Sequence, residues 1–317
     1  MTNAVLKYRK PVLVTGGPRC GTTLIGTILA FSSETAYIYE PFNINQARGT
    51  CRARFPYWFT YIDDFNGDQY REALESSLSF SYNLWGQVFW TRRPKDLLRL
   101  PTDWKEFARG RRDECRPVMK DPIAILSAEW LAREFDMDVV VMVRHPAGFV
   151  NSRKVRGDTH DFRDFSEQKE LMNGPLAPFR DEVNAFVDEA RTEVEQSALL
   201  WKLLYHCVAA YRDAHPNWVF VRLEDLSNDP RGDFRRIFEG VGIPFTERIE
   251  QKVTEYSSDT NRKNVRRIGK FAGRTLKRNS KASAGGWRKS LTAEEIESVR
   301  RITGGVWERF YSEDEWY

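Results

Sequence analysis

The sequence predicts an α/β fold, a parallel sheet flanked by helices, from two observations. Five short apolar runs are separated by stretches with helical periodicity, and strands that alternate with helices form parallel sheets. The clearest run, DVVVMVR, is an unbroken β-branched stretch, which is typical of a parallel strand covered on both faces. The predicted strands are Val12–Val14, Ala36–Tyr39, Pro117–Met119, Val139–Val143 and Trp218–Leu223.

Helical patterns fill the intervals between these runs. Two helices have start signals: a proline follows Asp229 at the first helical position, and Thr292 with Glu295 forms a capping box. We expect the last helix to extend to about Phe310 and the tail SEDEWY after it to be exposed to solvent. The predicted helices are Thr22–Phe31, Ala124–Phe135, 193–214, 230–242 and 292–310.

Residues 43–115 interrupt the alternation, because they carry many aromatic residues and little strand signal. We expect an insertion on the substrate side of the sheet, inside a single domain that spans residues 1–317. The rings either shape a ligand pocket or fill the core of the insertion, and the sequence leaves both open. They are Phe55, Tyr57, Trp58, Phe59, Tyr61, Trp85, Phe89, Trp90 and Trp104.

The basic residues are unevenly distributed. Of 49 lysines and arginines, eleven lie between Arg262 and Lys289, and no acidic residue lies between Thr260 and Ala293. This segment is either a solvated basic loop or a clamp for an anionic ligand. Few aromatic residues are interleaved with the charges, so a nucleic-acid partner is not expected.

Several classes of protein are disfavoured by composition. No apolar run approaches the ~18 residues of a membrane span, and the first ten residues contain no signal-peptide core. The cysteines lie far apart, which argues against a zinc site and against a disulfide framework. We therefore expect a cytoplasmic protein with reduced thiols and no metal. The cysteines are Cys20, Cys51, Cys115 and Cys207.

Polar residues follow all five predicted strands. In an open parallel sheet, ligands bind beyond the carboxyl ends of the strands. These residues therefore predict a site at that edge of the sheet. The segments are Thr15–Thr23, Glu40-Pro41, Lys120-Asp121-Pro122, Arg144-His145-Pro146 and Glu224-Asp225.

The loop after the first strand predicts a phosphate site. Gly16 and Gly21 have the G-x-x-x-x-G spacing of a phosphate-binding loop, whose backbone amides form an anion cradle with the following helix. The lysine of that motif is replaced by Thr22, whereas Arg19 lies inside the loop. A kinase that uses Mg-ATP would need the lysine and a metal-binding aspartate. The residues instead predict a phosphate-like group neutralised directly by protein cations.

A second anion contact is predicted at the fourth strand. Arg144 follows that strand, and Ser152 lies eight residues later, on the next predicted helix. A guanidinium and a hydroxyl can bind one phosphate group together. The alternative is an ordinary salt bridge and an unrelated helix serine.

These segments resemble the motifs of sulfotransferases. TGGPRCGTT resembles their 5′-phosphosulfate loop, usually PRSGTT or PKSGTT, and RHPAGFVNSRK resembles their 3′-phosphate motif. The family's glycine-rich C-terminal loop resembles the segment SKASAGGWRKSLTAEE. The family's RYEDL segment resembles VFVRLEDLSNDP. The resemblance runs from about Pro11 to Tyr311 and is weakest in the insertion.

The resemblance implies a nucleotide-kinase-like P-loop fold and the donor 3′-phosphoadenosine-5′-phosphosulfate. Its acceptor would be a hydroxyl of a carbohydrate, lipid or small natural product. Cys20 departs from the usual serine, only Lys281 matches the family's RKG, and Trp287 is equally well a core residue. The implied donor-binding residues are Gly17, Pro18, Arg19, Cys20, Gly21, Thr22, Thr23, Arg144, Ser152, Lys281, Trp287 and Arg288.

Two catalytic residues are implied as well. Glu40 resembles the base of the carbohydrate and tyrosyl-protein branches, because the histidine of the cytosolic branch is replaced here by Asp121-Pro122. Arg19 would stabilise charge on the leaving phosphate. Asp121 is the second candidate for the base, and Glu40 is alternatively a strand-end acid paired with an arginine. The competing functions are a kinase that uses Mg-ATP and a non-catalytic protein that binds nucleotides or polyanions.

Overall fold

The protein, described here by a computed structural model, has a five-stranded parallel sheet in the order β2-β3-β1-β4-β5. The structure describes residues 8–45, 49–90, 100–257 and 285–317. Every strand lies within two residues of its predicted position, so the predicted α/β fold is confirmed. The strands are β1 (Val12–Gly16), β2 (Thr35–Tyr39), β3 (Arg116–Lys120), β4 (Asp138–Val143) and β5 (Val219–Arg222).

Helices flank the sheet and connect its strands. The helix predicted at 193–214 is confirmed, and Thr192 forms a capping box with Glu195 at its start. The first part of the helix predicted at 124–135 is a 3₁₀ helix, Ile123–Ser127. The helices are α1 (Thr22–Leu29), α2 (Asp68–Leu78), α3 (Leu84–Trp90), α4 (Leu100–Arg112), α5 (Ala128–Glu134), α6 (Pro146–Lys154), α7 (Arg163–Ser166), α8 (Lys169–Asn173), α9 (Arg180–Asp188), α10 (Glu193–Ala214), α11 (Leu223–Asn228), α12 (Pro230–Gly240), α13 (Glu247–Ser257), α14 (Trp287–Ser290) and α15 (Ala293–Thr303).

Side chains on helices form hydrogen bonds with backbone groups of both edge strands, β2 and β5. On β2, the amide of Tyr37 donates to Glu106 at 2.9 Å, and Arg109 donates to the carbonyl of Thr35 at 2.7 Å. On β5, Arg236 donates to the carbonyl of Phe220 at 3.2 Å. Backbone groups of an open edge can pair with another strand, and these contacts cover part of both edges of the five-stranded sheet.

The insertion between β2 and β3 contains α2, α3 and α4. Phe55 stacks between Phe42 and Tyr70, with centroid separations of 4.1 and 5.3 Å, and these rings belong to the main hydrophobic core. Trp85 and Phe89 are instead 68% and 74% exposed. Some of the aromatic residues therefore fill the core and others do not. No helix in the described ranges is long and apolar enough to cross a membrane.

One expectation for the C-terminal region was wrong, and a second holds for part of the tail. The last helix has its predicted capping box, but it ends at Thr303 and not near Phe310. Gly305 adopts a left-handed φ of 79°, which an α-helix cannot continue through. The tail folds back as a 3₁₀ helix, in which Trp316 is only 3% exposed. The residues Ser312, Glu313, Asp314 and Tyr317 are exposed, as expected.

Candidate active site

The loop between β1 and α1 is held tightly against the sheet. At Gly16, φ is 140°, and a Cβ atom would lie 2.4 Å from the carbonyl oxygen of Met142 on β4. Only glycine fits such a close approach of two strands. The following residues turn directly into α1, so the loop amides and the start of that helix are near one another. This is the geometry of an anion cradle.

Tyr205 of α10 supports the loop from the core. Its hydroxyl accepts from the amide of Gly17 at 3.2 Å and donates to the carbonyl of Met142 at 3.0 Å. The Sγ atom of Cys20 lies 3.1 Å from the same hydroxyl. Burial raises the pKa of the Cys20 thiol to about 12, so this side chain is neutral and belongs to the floor of the loop. The residue that replaces the usual serine thus faces the core.

The structure brings Arg19, Arg144 and Ser152 together, as the sequence predicts. Arg144, at the end of β4, donates to the carbonyl of Arg19 at 2.7 Å. The Nε of Arg19 donates to the hydroxyl of Ser152 on α6 at 3.3 Å. Arg144 and Ser152 are buried, whereas Arg19 is exposed. Two guanidinium groups and a hydroxyl therefore lie beside the loop, an arrangement that suits an anionic ligand.

The segment between β4 and α6 is fixed by neighbouring elements. The indole of Trp201 donates to the carbonyl of Arg144 at 2.8 Å. Glu224 accepts from the amide of His145 at 3.1 Å and from the hydroxyl of Tyr311 at 2.9 Å. Burial raises the pKa of the Glu224 carboxyl. These contacts hold Arg144 in one position relative to the loop.

The predicted donor residues Trp287 and Arg288 lie next to this segment. Trp287 is 1% exposed, and its ring stacks on that of His145 with a centroid separation of 5.0 Å. Burial lowers the pKa of His145 to about 3, so its ring is neutral. Arg288 donates to the carbonyls of Tyr317 and Glu315 at 3.1 and 2.7 Å. The geometry favours the core interpretation of Trp287, and Lys281 lies outside the described residues.

Glu40 lies at the end of β2 with a left-handed φ of 41° and is 7% exposed. It forms an ion pair with Lys120, and its second carboxylate oxygen accepts from Asn43 at 2.7 Å. Lys120 is 1% exposed, and its ammonium lies 4.2 Å from the ring centroid of Tyr39. The sequence predicts Lys120 at this edge of the sheet, within the segment after the third strand, but assigns no role to it. Its position at the end of a strand was the available signal.

Asp121 is fully buried below Glu40. Its two carboxylate oxygens accept from the amides of Phe42 and Ile123 at 2.7 and 2.9 Å. Burial and, secondly, the charge of Glu40 raise the pKa of Asp121 to about 7. The side chain thus holds the turn after β2 in place, which positions Glu40.

Comparison with solved structures finds matches of low identity, among them sulfotransferases. The sulfotransferase domain of the olefin synthase of Synechococcus PCC 7002 is 15% identical, with 93% of this chain and 94% of that chain covered and a TM-score of 0.45. Sulfotransferase STF1 of Mycobacterium tuberculosis H37Rv is 17% identical, with coverages of 85% and 78% and a TM-score of 0.40. Retinol dehydratase, in complex with androsterone and the inactive cofactor PAP, is 19% identical, with coverages of 92% and 79% and a TM-score of 0.41.

A search of curated protein sequences finds no match. A family model described as the sulfotransferase family matches residues 11–247 of the 317 in the chain. That range contains the loop after β1, Glu40, Lys120 and the pair Arg144 and Ser152. The chain belongs to the sulfotransferase family.

Proposed function

We propose that this enzyme transfers the sulfuryl group of 3′-phosphoadenosine-5′-phosphosulfate, the donor that its family implies, to a hydroxyl of an acceptor. The observation that carries the proposal is the meeting of two features at one edge of the sheet. A cationic phosphate loop follows β1, and a buried carboxylate, Glu40, follows β2. The first suits the anionic donor, and the second suits proton removal from the acceptor.

The donor end of the site consists of amides and cations. The loop Gly17–Thr23 and the exposed Arg19 would bind the 5′-phosphosulfate, whereas Arg144 and Ser152 would bind the 3′-phosphate. Tyr205 and Trp201 fix the loop and Arg144 from the core, so the cradle is formed before the donor arrives. Preformed donors of hydrogen bonds stabilise developing charge without reorganisation during the reaction. The guanidinium groups neutralise the leaving phosphate, so the transfer needs no metal ion.

The acceptor end centres on Glu40. Its carboxylate takes the proton of the acceptor hydroxyl as the hydroxyl oxygen forms a bond to sulfur. The bond between sulfur and the 5′-phosphate oxygen breaks, and the phosphate leaves with that electron pair as part of 3′,5′-adenosine bisphosphate. Lys120 is paired with Glu40 beforehand. Once Glu40 is protonated, the Lys120 charge is available for the negative charge that develops at the reacting centre.

Asp121 is less suited to be the base. Both of its oxygens already accept amide hydrogens, and the residue has no exposed surface. A base must reach the proton that it removes. We therefore assign Asp121 a positioning role. A carboxylate base after β2 also favours the carbohydrate or tyrosyl-protein branches over the branch that uses histidine.

Calorimetric titration with 3′,5′-adenosine bisphosphate, the product of the donor, tests the proposal. We expect metal-independent binding that Arg144→Ala weakens about 10- to 100-fold, because a hydrogen bond to a charged group contributes about 1.5–3 kcal/mol. Arg156→Ala is the matched control, since Arg156 is an exposed arginine paired with Asp158. Sulfuryl transfer from the labelled donor to a panel of hydroxyl compounds then tests turnover.

Two results would contradict the proposal. One is binding of Mg-ATP with indifference to the 3′-phosphate, which would return the chain to the kinase-like function. The other is bisphosphate binding that weakens equally in Arg144→Ala and Arg156→Ala, because a non-specific response to charge indicates general polyanion binding.

A further inference from the structure

The exposed surface of α3 is apolar. Every exposed side chain that the structure describes on this helix belongs to an apolar residue, and the rings of Trp85 and Phe89 stack with a centroid separation of 5.8 Å. α3 packs against α4, on which Trp104 is 49% exposed. We name these exposed apolar residues the α3–α4 face, which consists of Leu84, Trp85, Val88, Phe89 and Trp104.

The α3–α4 face concentrates the exposed apolar residues of the molecule. Ten large apolar residues are exposed in the ranges that the structure describes, and five of them lie on these two short helices. Single exposed apolar residues are normal on a protein surface, whereas a group of them marks a site of interaction. The other five lie in separate segments of the chain and are Ile44, Phe65, Val155, Val187 and Tyr317.

The charged residues beside the face are basic. The exposed charged side chains of α4 are those of Lys105, Arg111 and Arg112, of which Arg112 pairs with Asp113. Trp104 and Arg111 lie seven positions apart and thus share one side of α4. Residues 91–99 join α3 to α4 and lie outside the described residues, and their sequence adds four basic residues and one acidic residue. These charges fit an anionic partner.

A second copy of the chain does not suit the α3–α4 face. A symmetric dimer would bring the same patch of two copies together, so their basic residues would repel each other. A stable protein interface also takes about 20–30 residues on each side, with hydrogen bonds across it. The exposed side chains described on α3 offer one hydrogen-bonding group, the indole of Trp85.

An anionic lipid surface fits both the apolar residues and the charge. Tryptophan and other apolar side chains enter the boundary between headgroups and acyl chains, and basic residues are attracted to anionic headgroups. We propose that the α3–α4 face docks the protein onto a membrane surface that contains anionic lipids. A helix docked in this way lies in the plane of the headgroups and does not cross the bilayer. The docking does not rest on the proposed function.

Flotation of the full chain with vesicles tests the proposal. The vesicles are pure phosphatidylcholine and an equimolar mixture of phosphatidylcholine and phosphatidylglycerol. We expect tighter binding to the mixed vesicles, and salt should weaken it. Trp85→Ser and Phe89→Ser should each lower the partition coefficient about tenfold, as expected when a large apolar side chain no longer leaves water. Arg111→Ala should lower it about fivefold, the contribution of one basic residue near an anionic surface.

Matched controls separate the α3–α4 face from general effects of substitution. Phe65→Ser removes the ring of a residue that is 92% exposed but lies next to Asp63 and Asp64. Arg301→Ala removes the same charge as Arg111→Ala from an exposed position on α15, which packs against α6 and α10. Both controls should leave the partition coefficient unchanged, and no variant should change the affinity for 3′,5′-adenosine bisphosphate.

Four results would overturn the proposal. The first is no binding to the mixed vesicles, or binding that Trp85→Ser and Phe65→Ser weaken equally. The second is a dimer, seen by light scattering, that Trp85→Ser dissociates, because a second copy would then cover the face. The third is a larger loss of unfolding free energy in Trp85→Ser than in Phe65→Ser, because the chain itself would then cover Trp85.

The fourth contrary result is binding of polyglutamate, in place of the vesicles, that depends on Trp85 and Arg111. The partner would then be an acidic protein. Failure of bisphosphate binding would refute the proposed function alone, since the vesicle experiment uses no donor.

Discussion

The two ends of the site are built from different interactions. The donor end, residues 16–23 and 144–152, contains the buried guanidinium of Arg144, but it is held in place mainly by neutral groups. The Tyr205 hydroxyl holds the loop and the Trp201 indole holds Arg144, beside the Glu224 carboxyl that accepts from the His145 amide. The acceptor end, residues 39–43 and 120–123, contains the buried charges of Glu40 and Lys120. Neutral hydrogen bonds keep a geometry constant, whereas buried charges are costly and depend on their partners. The difference suggests that the donor end holds the donor in a fixed position, whereas the charged groups of the acceptor end take part in the reaction.

The largest expected effect is at the acceptor end. Glu40→Gln removes the proton acceptor but keeps the size of the side chain, so kcat should fall by about 10²–10⁴, the usual contribution of a general base. The affinity for 3′,5′-adenosine bisphosphate should not change, because the donor end is supported separately. Steady-state kinetics and calorimetry measure the two quantities.

Glu239→Gln, at an exposed glutamate of α12, is the control for this experiment. A Glu40→Gln enzyme with near-normal kcat would refute the assignment of the base and transfer the role to Asp121. A loss of bisphosphate affinity would contradict the separation of the two ends.

The second effect concerns the support of the donor end. Trp316 packs at 4.5 Å against the ring of His145, the residue before α6. Trp316→Ala should lower the free energy of unfolding by about 3–5 kcal/mol, as for other buried tryptophans, and should weaken bisphosphate binding several-fold. Urea unfolding and calorimetry measure these changes.

Trp85→Ala is the matched control, since Trp85 is 68% exposed and its replacement should alter the free energy of unfolding by less than about 0.5 kcal/mol. A Trp316→Ala protein as stable as this control would show that the tail does not support the donor end.

The sequence could predict the parts of the site that are local in the chain or lie at the ends of strands. The loop spacing and the eight residues from Arg144 to Ser152 are local. The meeting of Arg19 with Arg144, 125 residues away, follows because the carboxyl ends of parallel strands share one edge of the sheet. Tyr205 lies 188 residues from Gly17, and Lys120 lies 80 residues from Glu40. Such pairs depend on the order of the strands and the packing of the helices. The hydrophobic periodicity of the sequence does not predict either of these.

The differences from expectation at the C-terminus have a similar cause. The hydrophobic pattern of the last helix continues beyond Thr303, but the left-handed Gly305 ends the helix. The tail looked exposed because four of its six residues are polar or charged. Trp316 nevertheless packs against the rings of His145 and Trp287. Arg222 and Arg300 pair with Glu315 and Glu313. Charge in a sequence does not reveal whether its partners are elsewhere in the fold.

The third effect is smaller and lies at the donor end. Tyr205→Phe removes the hydroxyl that accepts from Gly17 and leaves that buried amide unpaired, so bisphosphate affinity should fall about tenfold while kcat is retained. Tyr211→Phe is the matched control, since its hydroxyl donates to Leu126 at 3.2 Å from the same helix. Equal bisphosphate affinity in both variants would mean that the loop does not depend on the core.

The last effect is a pH dependence, and it tests whether charge distinguishes the acceptor end from the donor end. The pKa of Asp121 is raised to about 7 from its ordinary 3.8 by burial and by Glu40. Between these values the folded protein holds a proton that the unfolded chain releases, so this group makes the free energy of unfolding fall as pH rises, by at most ~1.4 kcal/mol per pH unit.

Asp121→Asn should therefore weaken the decline in the free energy of unfolding from pH 4 to pH 7, whatever its effect on stability at a single pH. Urea unfolding at several pH values measures this slope. If the variant and wild type decline in parallel, Asp121 does not hold a proton and its charge is satisfied by the amides of Phe42 and Ile123. The acceptor end would then be positioned in the same pH-independent way as the donor end, and only Glu40 and Lys120 would distinguish the two.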